Sequence, residues 1–177
     1  MPLGRDYVDQ DCAIARALEV VGERWTMLVL RDCFFGVRRF ADLRAHLDIP
    51  RAVLSDRLAT LVDAGVLARR PYAAGRDEYV VTDDGLALWP ALFTLAVWGE
   101  RHRTAPGGRR RRFRHADCPV DTGADVGPGG LCPACRTVPG PGELEMRQIA
   151  GDPGREADDD VVTRALSRPH RLLTPVR

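Results

Sequence analysis

The stretch from Pro50 to Gly65 limits this chain more than any other. Leu54, Leu58, Leu61 and Val62 fall on one helical stripe, while Arg51, Ala52, Ser55 and Asp56 fall on the opposite face. Pro50 suits a helix start and Gly65 a C-terminal cap, so the spacing predicts a helix from Arg51 to Ala64. Immediately before it, Phe40, Leu43 and Leu47 mark a shorter helix, and Asp48, Ile49 and Pro50 leave room only for a sharp turn. Two helices joined this way, the second with one small polar face, form a helix-turn-helix pattern.

The flanking segments extend that pattern. Asp11 is placed to cap a helix carrying Ile14, Ala17, Leu18 and Val21, and a second helical run holds Trp25, Leu28 and Val29 before Gly36. Beyond Gly65, residues 66–72 and 78–82 are rich in strand formers and flank the turn-like AAGRD, which predicts a β-hairpin. A last helix starts at Asp83 or Asp84 and runs through Leu86, Leu92, Leu95 and Trp98, kinked or broken at Pro90. The expected fold is mainly α with a β-hairpin wing, a winged helix-turn-helix followed by a small Cys/His-containing C-terminal module.

Composition changes at Pro106, where PGG, GPGG and PGPG begin to interrupt the chain. The expected organisation is therefore a tail over 1–10, a DNA-binding and dimerisation domain over 11–105, a zinc-stapled module over 106–145, and a tail over 146–177 that is either disordered or carries a short helix to Leu166, and is assigned no function. The run from Arg109 to Arg112, with Phe113 and Arg114, reads as a solvated linker, the alternatives being phosphate contacts beside the winged helix or packing against acids in the tail. Residues 1–115 hold 19 arginines against 15 acids, and the remainder holds seven against ten. The basic half is the one carrying the helix-turn-helix. There is no Lys among the 26 cationic residues, so only the placement of each Arg is informative.

Other function classes fit poorly. No apolar run approaches the ~20 residues of a membrane-spanning helix, and the N-terminus lacks an apolar signal region, so a cytoplasmic protein without membrane contact is expected. No phosphate-binding glycine loop, paired carboxylates or nucleophile beside a His is visible, which argues against an enzyme.

The stretches CAIARALEVVGERWTMLVLRD (12–32), RRFADLRAHL (38–47), RAVLSDRLATLVDAGVLARRPY (51–72) and EYVVTDDGLALWPAL (78–92), with Trp98-Gly99, resemble the HxlR-type winged helix-turn-helix transcriptional regulators, relatives of the MarR regulators. The resemblance spans roughly residues 11–103. It implies a homodimer formed largely by the first and last helices, bound to an inverted-repeat double-stranded DNA operator. The expected function is a DNA-binding transcriptional regulator, a homodimeric repressor released by a small-molecule or thiol-reactive signal. The alternative is a zinc-stapled protein-interaction adaptor that retains a winged helix without using it on DNA.

Arg51 and Ser55 lie one turn apart on the polar face and are the candidate base readers, Arg51 having the fork that matches guanine O6 and N7. Arg38, Arg39 and Arg57 are candidate phosphate contacts, although Asp56 or Asp63 can instead engage Arg57 in an ion pair. Arg76, at the hairpin tip, is placed to enter a minor groove. Trp25, Trp89 and Trp98 belong to apolar stripes, as core, dimer interface or the wall of an effector cavity.

His115, Cys118, Cys132 and Cys135 read H-x2-C-x13-C-x2-C, two chelating pairs with the short spacing of a tetrahedral structural Zn site. Few apolar residues lie between the pairs, so metal binding would supply folding energy. Some members of the resembled family carry similar tails. Redox work by Cys132 and Cys135 fits less well, because GADVGPGG precedes them where a strand would be needed. Cys12 stands where the resembled family often has Cys, a thiol that senses oxidants or quinones in some members. A helix N-terminus favours a thiolate, which makes Cys12 a candidate redox sensor, the alternative being a small buried residue. Cys33 reads as core.

Overall fold

The computed structural model describes residues 11–103, 110–121, 123–150 and 160–176, the expected 1–10 tail lying outside them. Helices α1 (Ala13–Val21), α2 (Thr26–Phe34), α3 (Phe40–Leu47) and α4 (Arg51–Asp63) precede an antiparallel hairpin of β1 (Leu67–Ala73) and β2 (Arg76–Val81). The short α5 (Asp83–Leu86) then leads into α6 (Trp89–Arg103). This is a winged helix. Residue 39 also makes a backbone bridge to Glu78, and the Tyr79 N–H donates to the Arg38 carbonyl at 2.8 Å, so the chain entering α3 forms a third edge of the wing.

Local chemistry sets these boundaries. Cys12, not Asp11, occupies the position before α1. The break expected at Pro90 falls just ahead of it, between α5 and α6, with Pro90 in the first turn of α6 where its missing N–H costs nothing. The Thr82 hydroxyl accepts from the Gly85 N–H and caps α5. Gly65 stands at φ +74°, the left-handed conformation that lets the chain leave α4 and enter the hairpin.

Leu54, Leu58 and Leu61 of α4 pack with Val29, Leu30 and Phe34 of α2 and Leu43 of α3 in one core. That core does not stop at Arg103. The run expected as a linker forms β3 (Arg110–His115), paired antiparallel with β4 (Leu144–Ala150), which pairs in turn with β5 (His170–Arg171). Phe113 of β3 stacks 5.6 Å from the Trp89 ring and 5.5 Å from Phe93, carrying the aromatic cluster of α6 into the C-terminal part.

The expected division at 145 falls within β4, and the described part of the expected tail, residues 146–150 and 160–176, is folded. Met146, Val162 and Leu166 of the helix α7 (Val161–Leu166), Leu172 and Val176 are all buried in the shared core. The final residues thread beside the turn after α2: the Leu173 N–H donates to Phe34 O at 2.8 Å, and the Val176 N–H to Gly36 O at 3.0 Å. Gly36 is required there, because at φ +83° a Cβ would stand 1.7 Å from the Thr174 carbonyl oxygen. A one-residue sequence pattern gives no hint of this contact, since the partner lies more than 130 positions away.

Candidate nucleic-acid interface and metal centre

The turn between α3 and α4 is made by Asp48 in the left-handed conformation (φ 49°), buried Ile49, and Pro50 as the residue before α4. Ile49 anchors the turn to the core, and Pro50 supplies a backbone angle already suited to a helix start. The first turns of α4 then present Arg51, Ala52, Ser55 and Asp56 to solvent. The Arg51 guanidinium lies over the Phe40 ring, 5.4 Å from its centroid, so an apolar platform limits its conformations. Arg44 and Arg51 line the same hollow between the two helices. The sequence analysis did not single out Arg44, although its position four residues after Phe40 on α3 was a usable signal.

The other arginines divide by environment. Arg76 is exposed at the hairpin tip, and Arg39 is exposed with its guanidinium 4.9 Å from the Tyr72 ring centroid. Arg57 is largely covered, ion-paired with Asp56 and, at 3.4 Å, with Glu23. Arg38 points inward: it donates to the Leu173 carbonyl at 2.9 Å and pairs with Glu78 at 3.4 Å. The structure thus brings Arg51 and Ser55 together on one exposed surface and gives Arg38 and Arg57 internal partners.

His115, Cys118, Cys132 and Cys135 converge so that their ligand atoms all lie within 4.8 Å of one another. The Cys118 and Cys132 sulfurs are 3.8 Å apart, and the Cys135 sulfur is 3.4 Å from His115 Nδ1. Tetrahedral bonds of about 2.3 Å to sulfur and about 2.0 Å to nitrogen imply edges of roughly 3.8 and 3.5 Å, so the donor set and its spacing fit Zn. Backbone turns hold the donors: the Asp121 N–H points at Cys118 Sγ at 3.4 Å, and the Cys132 N–H donates to Thr137 O at 2.8 Å. The Thr137 hydroxyl and N–H pull the Cys135 thiol down to about 6, towards the thiolate a metal ligand must be. His115 Nε2 lies 4.0 Å from Glu143 Oε1.

Cys12 is exposed, and the backbone N–H groups of Ala15 and Ile14 lower its thiol below the ordinary range. Cys33 is buried in α2, and burial pushes its thiol up. Trp89 is core, whereas Trp98 is half exposed. On α1, Ile14 is 70% and Leu18 40% exposed, and Leu28 of α2 and Leu95 of α6 add to the uncovered apolar surface. Among the described residues, no helix is long and apolar enough to cross a membrane.

A winged helix whose second helix-turn-helix element offers a polar, arginine-bearing face defines the class: a transcriptional regulator with a helix-turn-helix DNA-binding fold. Residues 20–106 match the model of the HxlR-like helix-turn-helix family, and the chain belongs to that family. An HTH-type transcriptional regulator of Mycobacterium tuberculosis, Rv3095, is 40% identical over 144 residues, covering 80% of this chain and 85% of the relative. YvaP of Bacillus subtilis, also named an HTH-type transcriptional regulator, is 35% identical over 86 residues, covering 47% of this chain and 80% of its own. Among solved structures, the transcription factor PA1607 is similar with a TM-score of 0.57 and 34% identity, over 73% of this chain and 94% of that one. Both relatives carry the name of HTH-type transcriptional regulators.

Proposed function

We propose that the chain acts in the cytoplasm as a homodimeric repressor that grips an inverted-repeat operator and is released by a small-molecule or thiol-reactive signal. The observation carrying this reading is the exposed start of α4. Arg51 and Ser55 stand on it as base readers, with Arg39 and Arg76 flanking them as phosphate and minor-groove contacts. Arg38 and Arg57 contribute indirectly, by fixing the wing and the helix that present those side chains. The apolar surface of Ile14, Leu18, Leu95 and Trp98 supports a second copy packed along α1 and α6, setting two α4 helices about 34 Å apart. His115, Cys118, Cys132 and Cys135 hold a structural Zn ion that ties β3 to the loop before β4. Cys12, exposed and acidified, is the thiol on which a reactive signal would act.

The test is fluorescence anisotropy with duplex DNA from the chain's own promoter region, wild type against Arg51→Ala, over a range of salt. A specific, steeply salt-dependent complex is expected, weakened at least tenfold by the substitution. Unchanged affinity and sequence preference in Arg51→Ala would remove that residue from base reading. Absence of any salt-sensitive DNA complex would favour the adaptor.

A further inference from the structure

Asp56 is the one acid in the first two turns of α4, and it stands on the face that carries Arg51, Ala52 and Ser55. A carboxylate brought up to a duplex meets phosphate charge of its own sign, a cost that a hydrogen-bond donor on the DNA can offset. The fold also orders this carboxylate. Arg57 donates to Asp56 Oδ2 through one guanidinium nitrogen, and its other terminal nitrogen lies 3.4 Å from Glu23 Oε2, in the turn between α1 and α2. The Arg57 side chain is 16% exposed and that of Asp56 65%, so the pair has a covered cationic end and an open anionic one. A carboxylate has two oxygens and about four lone-pair sites, so this ion pair leaves Asp56 with acceptor capacity. Ala52, one turn earlier, offers no atom beyond Cβ, and helical side chains lean towards the N-terminus, which gives the carboxylate room on the same face.

We infer that Asp56 selects a cytosine in the major groove by accepting a hydrogen bond from its N4 amino group, with Arg57 as the residue that positions the carboxylate. The base follows from the groove edges. Guanine and thymine present only acceptors among their polar groups and repel a carboxylate. The adenine N6 amino group is flanked by two acceptors, its own N7 and the O4 of the paired thymine, whereas the cytosine N4 group has an acceptor on one side only. The inference rests on the DNA-binding reading above and adds to it a contact that discriminates by repulsion as well as by attraction.

Selection from a randomised duplex library by the whole zinc-loaded chain, wild type against Asp56→Ala and Asp56→Asn, tests this contact. The wild type should enrich a site with one C·G pair fixed in each half, and fluorescence anisotropy should show binding weakened about tenfold when that pair becomes T·A in one half. Asp56→Ala should lose the preference at that position and keep it elsewhere. Asp56→Asn should shift it to adenine, whose N6 and N7 an amide engages bidentately. Arg57→Leu should narrow the cytosine preference and leave the other positions alone; if that variant fails to fold by circular dichroism, Glu23→Gln takes its place. A preference that survives Asp56→Ala, or a gain in affinity by Asp56→Ala for every sequence alike, would overturn the inference while the DNA-binding reading stands. A wild type that enriches no sequence removes the DNA-binding reading and this contact with it.

Discussion

His46 Nδ1 lies 2.6 Å from Asp32 Oδ2, joining α3 to α2 inside the helix-turn-helix. Both residues are buried, and the Arg31 guanidinium donates to the other carboxylate oxygen at 2.7 and 2.9 Å. Burial alone would raise the Asp32 pKa, but Arg31 and the His46 hydrogen bond outweigh it and hold the carboxyl below its usual range. A group so lowered stabilises the fold above its unfolded value of about 3.9 and loses that contribution as pH falls towards its folded value. Asp32→Asn should therefore destabilise the protein by about 3 kcal/mol at neutral pH. The difference from wild type in urea denaturation should hold near neutrality and shrink below about pH 4.

Gly36→Ala tests the seating of the C-terminal segment. The added Cβ meets the Thr174 carbonyl carbon and oxygen, and the positive φ adds strain, so a loss of about 1–3 kcal/mol is expected. Hydrogen exchange should quicken at the Leu173 and Val176 amides, which donate to Phe34 and Gly36 in the native protein.

Arg38→Ala separates structure from DNA contact. Because Arg38 is tied to the Leu173 carbonyl and Glu78, its removal should lower stability by about 1–2 kcal/mol. It should leave the salt dependence of DNA binding nearly unchanged, in contrast to a phosphate contact, whose loss flattens the slope by about one.

One equivalent of Zn per chain is expected from elemental analysis of the purified protein. Cys132→Ser, which removes a fully buried ligand, should reduce it below half an equivalent and lower Tm. Thermal melting with and without a strong chelator provides the second check.

The proposed dimer predicts that Ile14→Glu, Trp98→Glu or both together yields a monomer by sedimentation. The single-chain fold should change little in stability, within about 0.5 kcal/mol per substitution, since both residues are at least half exposed in the chain alone. Affinity for an inverted repeat should fall with dimerisation.

Much of the first hundred residues was legible because their information is local. The stripe of Leu54, Leu58 and Leu61, the turn at Asp48 to Pro50 and the glycine after α4 each depend on neighbours within one or two helical turns. The clustering of His115, Cys118, Cys132 and Cys135 was legible for the same reason, since the short spacing within each pair is a property of the chain itself.

Beyond Arg103 the decisive contacts are non-local. Arg-rich β3 looks like a charged linker until Met146 and Phe113 are seen facing each other in the register that binds it to β4. Arg38 looks like a phosphate contact until its carbonyl partner arrives from position 173. In these places side-chain type permits several outcomes, and pairing partners far along the chain select one.

The order of the residues alone determined the helices, the hairpin wing, the exposed start of the fourth helix and the four His and Cys residues that cluster, because periodicity and short spacings are properties of the chain itself. Tertiary packing decided which arginines stay at the surface and where the core ends. Those outcomes depend on which distant segments desolvate one another, and that is set only when the chain closes on itself.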